Sequence, residues 1–120
     1  MLERIRRGAA VTAVLLTGCA GWGGFSTPSL GALEQVCGAS ADYGAQTATV
    51  YPALLDAYVA YRHGRLSQNE YCGFQTSIAR EHATLAAGGA SASTGWADFI
   101  NDARAKALSW RAAVDPTLRG

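Results

Sequence analysis

The chain has 120 residues, 49% of them hydrophobic and 16% charged, with a formal net charge of +1. That length holds one small domain at most, and the near-neutral balance offers no basic footprint for nucleic acid. Alanine is abundant while valine and isoleucine are sparse, which favours helix over sheet.

The N-terminal segment has three parts. Arg4, Arg6 and Arg7 stand against a single Glu3; residues 9–16 form an apolar run, AAVTAVLL; small residues and Cys19 follow. A basic stretch, a short apolar stretch and small residues at the end make a secretory signal. The apolar run is far short of the ~20 residues a membrane-spanning helix needs. At its end, Leu16-Thr17-Gly18-Cys19 resembles the lipobox of bacterial lipoprotein signals. The resemblance implies a diacylglyceryl group on the Cys19 thiol, removal of residues 1–18 by signal peptidase II, and acylation of the new N-terminus. The alternative is an ordinary signal peptide with a chance cysteine. At ~0.8 kcal/mol per buried CH₂, one acyl chain anchors marginally and two or three anchor firmly. Ala20 follows the cysteine. In the resembling family Asp at that place retains the protein in the inner membrane, so Ala20 implies the outer membrane, facing the periplasm.

Loss of residues 1–18 takes three of the ten basic and one of the nine acidic residues, leaving a mature chain of net charge −1. No polybasic patch for anionic lipid remains. Residues 19–28, with Gly21, Gly23 and Gly24, read as a lipidated flexible tether. Trp22 and Phe25 lie beside the lipid, where aromatic rings rest at membrane interfaces; the plainer alternative is that they are mobile.

Thr27-Pro28 reads as a helix N-cap followed by Pro at the first helical position. Leu30, Leu33, Cys37, Ala41, Gly44, Ala48, Tyr51, Leu55 and Tyr58 then recur at helical spacing. Gly38, Gly44, Thr47, Thr49 and Pro52 weaken the middle of that stripe and predict a kink or break between Gly44 and Pro52. Ala53–His63 is a strong helix, ended by Arg62, His63 and Gly64. Ser67-x-x-Glu70 is a capping box, with Leu66 and Tyr71 as its hydrophobic staple, so 64–67 is a tight connection between antiparallel helices. The next helix, Gln68 to about Ala87, carries Tyr71, Phe74, Ile78, His82 and Leu85 on one face. Residues 88–93 are a glycine- and serine-rich loop. Thr94 caps a last helix with Trp96, Phe99, Ala103, Ala107, Trp110 and Val114 inward, and Asp115-Pro116 ends it. No strand-like alternation or internal repeat appears. The expected organisation is a signal peptide (1–18), tether (19–28), an all-α domain (29–115) and a tail (116–120). The domain is a small helical bundle, or a helical hairpin plus flanking helices.

Lipidation of Cys19 leaves Cys37 and Cys72 as an even pair in a compartment where disulfides persist. Two buried thiols are the alternative. Neither cysteine has a second one at metal-ligand spacing, so no metal site is expected. One straight helix over 27–63 would hold Cys37 about 40 Å from the tight turn, with Cys72 only about 8 Å beyond it. A disulfide needs Cα atoms within ~7 Å. A reversal near Ala45–Val50 reconciles them and gives a four-segment bundle. One kinked helix, with Cys37 free to meet another chain, is the other possibility.

No catalytic constellation stands out, and no cofactor is implied. His63 ends a helix, where the dipole and terminal carbonyls explain it. His82 adjoins Glu81, but neighbours at i,i+1 do not face each other, so core-edge packing is the reading. There is no GxSxG, HExxH or phosphate-binding loop. Tyr51, Tyr58 and Tyr61 fall within three turns and form either a core rim or a candidate binding surface. The short Arg-x-Gly-x-Leu-Ser turn at 62–67 and its hairpin resemble small helical lipoproteins of tailed phages and prophages. That resemblance spans about 46–115 and implies an envelope role in infection, exclusion or lysis. The expected function is a non-enzymatic interaction or scaffold module with a protein partner in the envelope and a membrane anchor at Cys19. The alternative is a small-ligand or inhibitor-type lipoprotein using an aromatic groove.

Overall fold

The computed structural model describes residues 27–115. The expectations for the signal peptide, Cys19, the glycine-rich tether and the tail lie outside the described residues. Helices dominate, and no strand occurs among the described residues: α1 (Leu30–Gln35), a 3-10 turn (Gly44–Gln46), α2 (Thr47–Arg62), α3 (Gln68–Ala87) and α4 (Ala92–Val114).

α1 is shorter than its apolar stripe implies, and its cap is Ser29 rather than Thr27. The Ser29 hydroxyl accepts from the Ala32 N–H at 3.1 Å, which satisfies one of the orphan donors of a helix start. After Gln35 the chain turns through Gly38, whose φ of +74° suits only a residue without Cβ. The Glu34 carboxylate then accepts from the Ala41 N–H at 3.0 Å, seven residues on. The chain reverses here, over residues 36–43, and not at Ala45–Val50.

The expected break falls at the start of its stretch, where the 3-10 turn Gly44–Gln46 passes into α2 at Thr47; Pro52 makes none, and α2 runs through it. Pro52 sits in the second turn, so the helix forgoes a bond to the Ala48 carbonyl only. Ala48 is exposed, and water can take that carbonyl. One face of α2 is a seam of Ala53, Ala57 and Ala60, all wholly buried, and α4 supplies Ala103 and Ala107. Small side chains let the backbones approach, and α2 packs more extensively on α4 than on any other element. An ion pair, Arg111 Nη1 to Asp56 Oδ1 at 2.8 Å, ties the same two helices.

The 64–67 connection is tight. Gly64 takes φ +85°, and the Arg65 N–H donates back to the Ala60 carbonyl at 2.8 Å. Both arms of the capping box form: the Glu70 N–H donates to Ser67 Oγ (3.0 Å), and the Ser67 N–H to Glu70 Oε1 (2.8 Å). Leu66 and Tyr71, on either side of the cap, are buried in the core. α4 begins at Ala92, earlier than the Thr94 cap predicts, with Ser91 before it and no side-chain cap bond. The loop there is correspondingly shorter. The Trp96 indole N–H donates to Gln46 Oε1 (2.9 Å), fastening the start of α4 to the 3-10 turn.

Cys37 and Cys72 are joined as a disulfide, Cα to Cα 5.5 Å. It holds the end of α1 against the first turns of α3. A straight helix over 27–63 is excluded by the reversal.

Candidate functional site

The three tyrosines singled out from the sequence do not form an open groove. Each is half-buried and packs against the core. The Tyr51 hydroxyl donates to the Pro28 carbonyl, which pins the first described residues to α2. Tyr61 stacks on the buried Tyr71 (5.4 Å between centroids, 15° between planes), and Tyr58 meets the same ring edge-on at 6.0 Å. Helical spacing puts 58 and 61 on one side of α2, and α3 brings Tyr71 against both, so that the three rings form a triangle. Such aromatic contacts contribute about 0.5–1.5 kcal/mol each beyond area burial. The group is a core rim whose outer edges reach solvent.

His82 is a packing residue in geometry. Its ring meets Tyr43 edge-on at 5.0 Å and Trp96 at 5.6 Å. His63 caps α2, its N–H donating to the Val59 carbonyl at 3.1 Å.

A polar cluster that the sequence reading did not single out lies under α1. Glu34 and Gln75 are the two buried polar side chains among the described residues, at 6% and 7% exposure. Gln75 Nε2 donates to the Leu33 carbonyl (2.8 Å) and to the Tyr71 hydroxyl oxygen (3.0 Å). The Tyr71 hydroxyl in turn donates to the same Leu33 carbonyl (3.0 Å). Tyr43 is buried nearby, and its hydroxyl pKa is pushed up to about 12, first by burial and then by the Glu34 charge. Tyr71 is also raised to about 12. Burial is the main cause, the Gln75 hydrogen bond opposes it, and Tyr58, Glu34 and Tyr61 add to it. A cavity of about 240 Å³ opens on this cluster, walled by Glu34, Tyr43, Gln75 and the disulfide. A second, of about 330 Å³, shares Glu34, Ala39 and Ser40 with it.

The signal for this cluster was present but faint. Glu34 stands one turn after Leu30, and Gln75 one turn after Tyr71, so each is a polar residue on the edge of an apolar stripe. Among the described residues, no group of three or more His, Cys, Asp or Glu side chains could hold a metal ion. No helix there is long and apolar enough to cross a membrane. No protein-family model, curated protein or solved structure matches the chain.

Proposed function

We propose that the protein is a lipid-anchored envelope module, held in the outer membrane through Cys19 and facing the periplasm, that works by non-covalent interaction with a protein partner rather than by catalysis. The observation that carries this reading is the distribution of its three cysteines. Cys19 ends a lipobox-like segment, and the other two lie within disulfide distance of each other. A disulfide persists in an exported protein and is rare in a reducing cytosol. The pinning of Pro28 by Tyr51 supports a tether that ends at the domain surface. The half-buried Tyr58 and Tyr61 offer partner-facing edges with polar tips.

The test is mass spectrometry of the membrane fraction. The N-terminal peptide should begin at Cys19 and carry acyl chains. Cys19→Ser should leave the precursor uncut and unlipidated. An unmodified Cys19 peptide in the wild-type chain would overturn the anchor. A phage origin, with a role in infection, exclusion or lysis, rests on the 62–67 turn and its hairpin; lysis or tail genes on either side of the coding sequence would support it, and their absence would remove it.

A further inference from the structure

We propose that the paired cavities over Glu34 form a binding site for an aliphatic primary ammonium group, with the Glu34 carboxylate as counter-charge and Gln75 Oε1 as a second acceptor. Glu34 is more than nine-tenths buried, yet no cation pairs with it among the described residues. Neither cavity has a Lys, Arg or His in its lining. One oxygen, Oε2, serves the loop by accepting from the Ala41 N–H. A neutral glutamine would do that much. The charge itself has no use in the loop, and Oε1 has no hydrogen-bond partner among the described residues.

Gln75 adds the second acceptor. Its Nε2 is committed twice, to the Leu33 carbonyl and the Tyr71 hydroxyl. That fixes which way the amide faces and leaves Oε1 as its free end, on a side chain that lines the first cavity. An ammonium group has three donors and no acceptor, and here it would meet two acceptors of unequal charge on two largely buried side chains. Burial chiefly keeps the Tyr43 and Tyr71 hydroxyls protonated beyond their usual range, and the Glu34 charge adds to it.

Size and ligand count decide between cations. A metal ion such as calcium takes six to eight oxygen ligands, several of them carboxylates; one carboxylate and one amide do not supply them. Cavities of about 240 and 330 Å³ lie at or below the lower end of the range for drug-sized ligands. They fit an alkyl chain of a few carbons with an ammonium head. The apolar disulfide and the Ala79 methyl suit that chain. The group can come from a free alkylamine or from a lysine side chain on a partner. The site rests on the domain's own geometry and not on the anchor at Cys19, so the lipid analysis above and the binding experiment here fail separately.

The experiment is an amide NMR titration of the full chain in a non-ionic detergent. The probes are n-butylammonium, its neutral counterpart n-butanol, and a short lysine-containing peptide with its lysine-acetylated form. The Ala41 amide and the Gln75 side-chain amide should shift with n-butylammonium and not with n-butanol. Glu34→Gln keeps an acceptor for the Ala41 N–H and should weaken binding about tenfold or more, the worth of a charge-assisted hydrogen bond, without lowering the melting temperature. Ala39→Trp, which fills the space shared by both cavities while keeping the carboxylate, should also block binding and covers the case in which Glu34→Gln fails to fold. Tighter binding of the lysine peptide than of n-butylammonium, lost on acetylation, supports the site and assigns it to a partner's lysine. The reverse order supports it as a free-amine site. Equal shifts with n-butanol, unchanged affinity in a folded Glu34→Gln, or no shift with millimolar n-butylammonium would each overturn the proposal.

Discussion

The Tyr71 hydroxyl donates to the carbonyl of Leu33 at 3.0 Å, 38 residues away in the chain. Gln75 Nε2 donates to the same carbonyl, so α3 grips α1 at one backbone atom with two side chains. α1 has only six residues, too few to be stable alone, and its place depends on such contacts. Tyr71→Phe keeps the ring packing and removes one donor. Leu33 retains Gln75 as a partner, so the loss should be about 1 kcal/mol. Gln75→Leu strips the second donor and leaves the Tyr71 hydroxyl oxygen without the bond it accepts, and should cost more. Urea unfolding of both variants checks the order; a larger loss for Tyr71→Phe would mean that ring position, not the carbonyl grip, is what Tyr71 supplies.

Tyr43 and Tyr71 also make stability depend on alkaline pH. Burial pushes both hydroxyls up to about 12 in the folded chain, against the ordinary tyrosine value of 10. Between those values the unfolded chain gives up the protons and the folded chain keeps them. Unfolding then releases protons, so stability is whole below about pH 10 and falls as pH rises towards 12. The linked loss is about 2–3 kcal/mol per site at most. Melting temperatures measured from neutral to alkaline pH should drop across this window, and less in Tyr43→Phe. An equal drop in that variant would place the effect elsewhere.

The Cys37–Cys72 bond closes a loop with a sequence separation of 35. In the chain-entropy treatment that contributes about 3–4 kcal/mol. Reduction, or Cys72→Ser, should therefore lower the melting temperature markedly while α2, α3 and α4 keep their helices. Hydrogen exchange should rise first at residues 30–43, because α1 and its loop lose their covalent tie and are left with the Leu33, Val36 and Pro28 hydrogen bonds and the buried Leu33 and Tyr43 side chains. Uniform loss of protection across all helices would mean that the bond supports the whole fold and not α1 alone.

The parts of this fold that local chemistry determines could be read from the residues. The Gly64–Ser67 turn and its capping box depend on side chains within a few positions of one another, and the alanine-rich helices follow from composition and period. Contacts across the chain could not be read. The reversal sits at 36–43 because Gly38 takes a left-handed turn and Glu34 reaches Ala41, a contact that helical periodicity does not encode. Pro52 leaves α2 continuous, since a proline in a second turn breaks only one bond and that carbonyl belongs to an exposed residue. A hydroxyl at Thr94 suits a cap, yet the helix starts at Ala92 with no side-chain cap bond, and nothing in the structure explains the earlier start. The tyrosines were legible as an aromatic group but not as a rim around Tyr71. The Glu34–Gln75 cluster needs α1 laid across α3, which neither stripe implies.

The α2–α4 contact joins the alanine seam to one ion pair, and the two contributions can be separated. Arg111 Nη1 meets Asp56 Oδ1 at 2.8 Å, and Arg111 Nε lies 3.7 Å from Asp115 Oδ2, one turn on. The Asp56 and Arg111 side chains are 20% and 29% exposed, so salt screens the pair only in part. Exposed pairs contribute about 0–1 kcal/mol, and a partly sheltered, charge-assisted bond somewhat more. Asp56→Ala should therefore cost about 1–2 kcal/mol, because it leaves the guanidinium partly buried with Asp115 as its remaining acidic neighbour. Arg111→Ala should cost a similar amount, part of it from lost packing of the aliphatic stem. A double-mutant cycle on the two should give a coupling of about 1 kcal/mol that shrinks in high salt. Coupling near zero, with Asp56→Ala melting like the wild type, would assign the helix pairing to the Ala53, Ala57, Ala60, Ala103 and Ala107 seam alone.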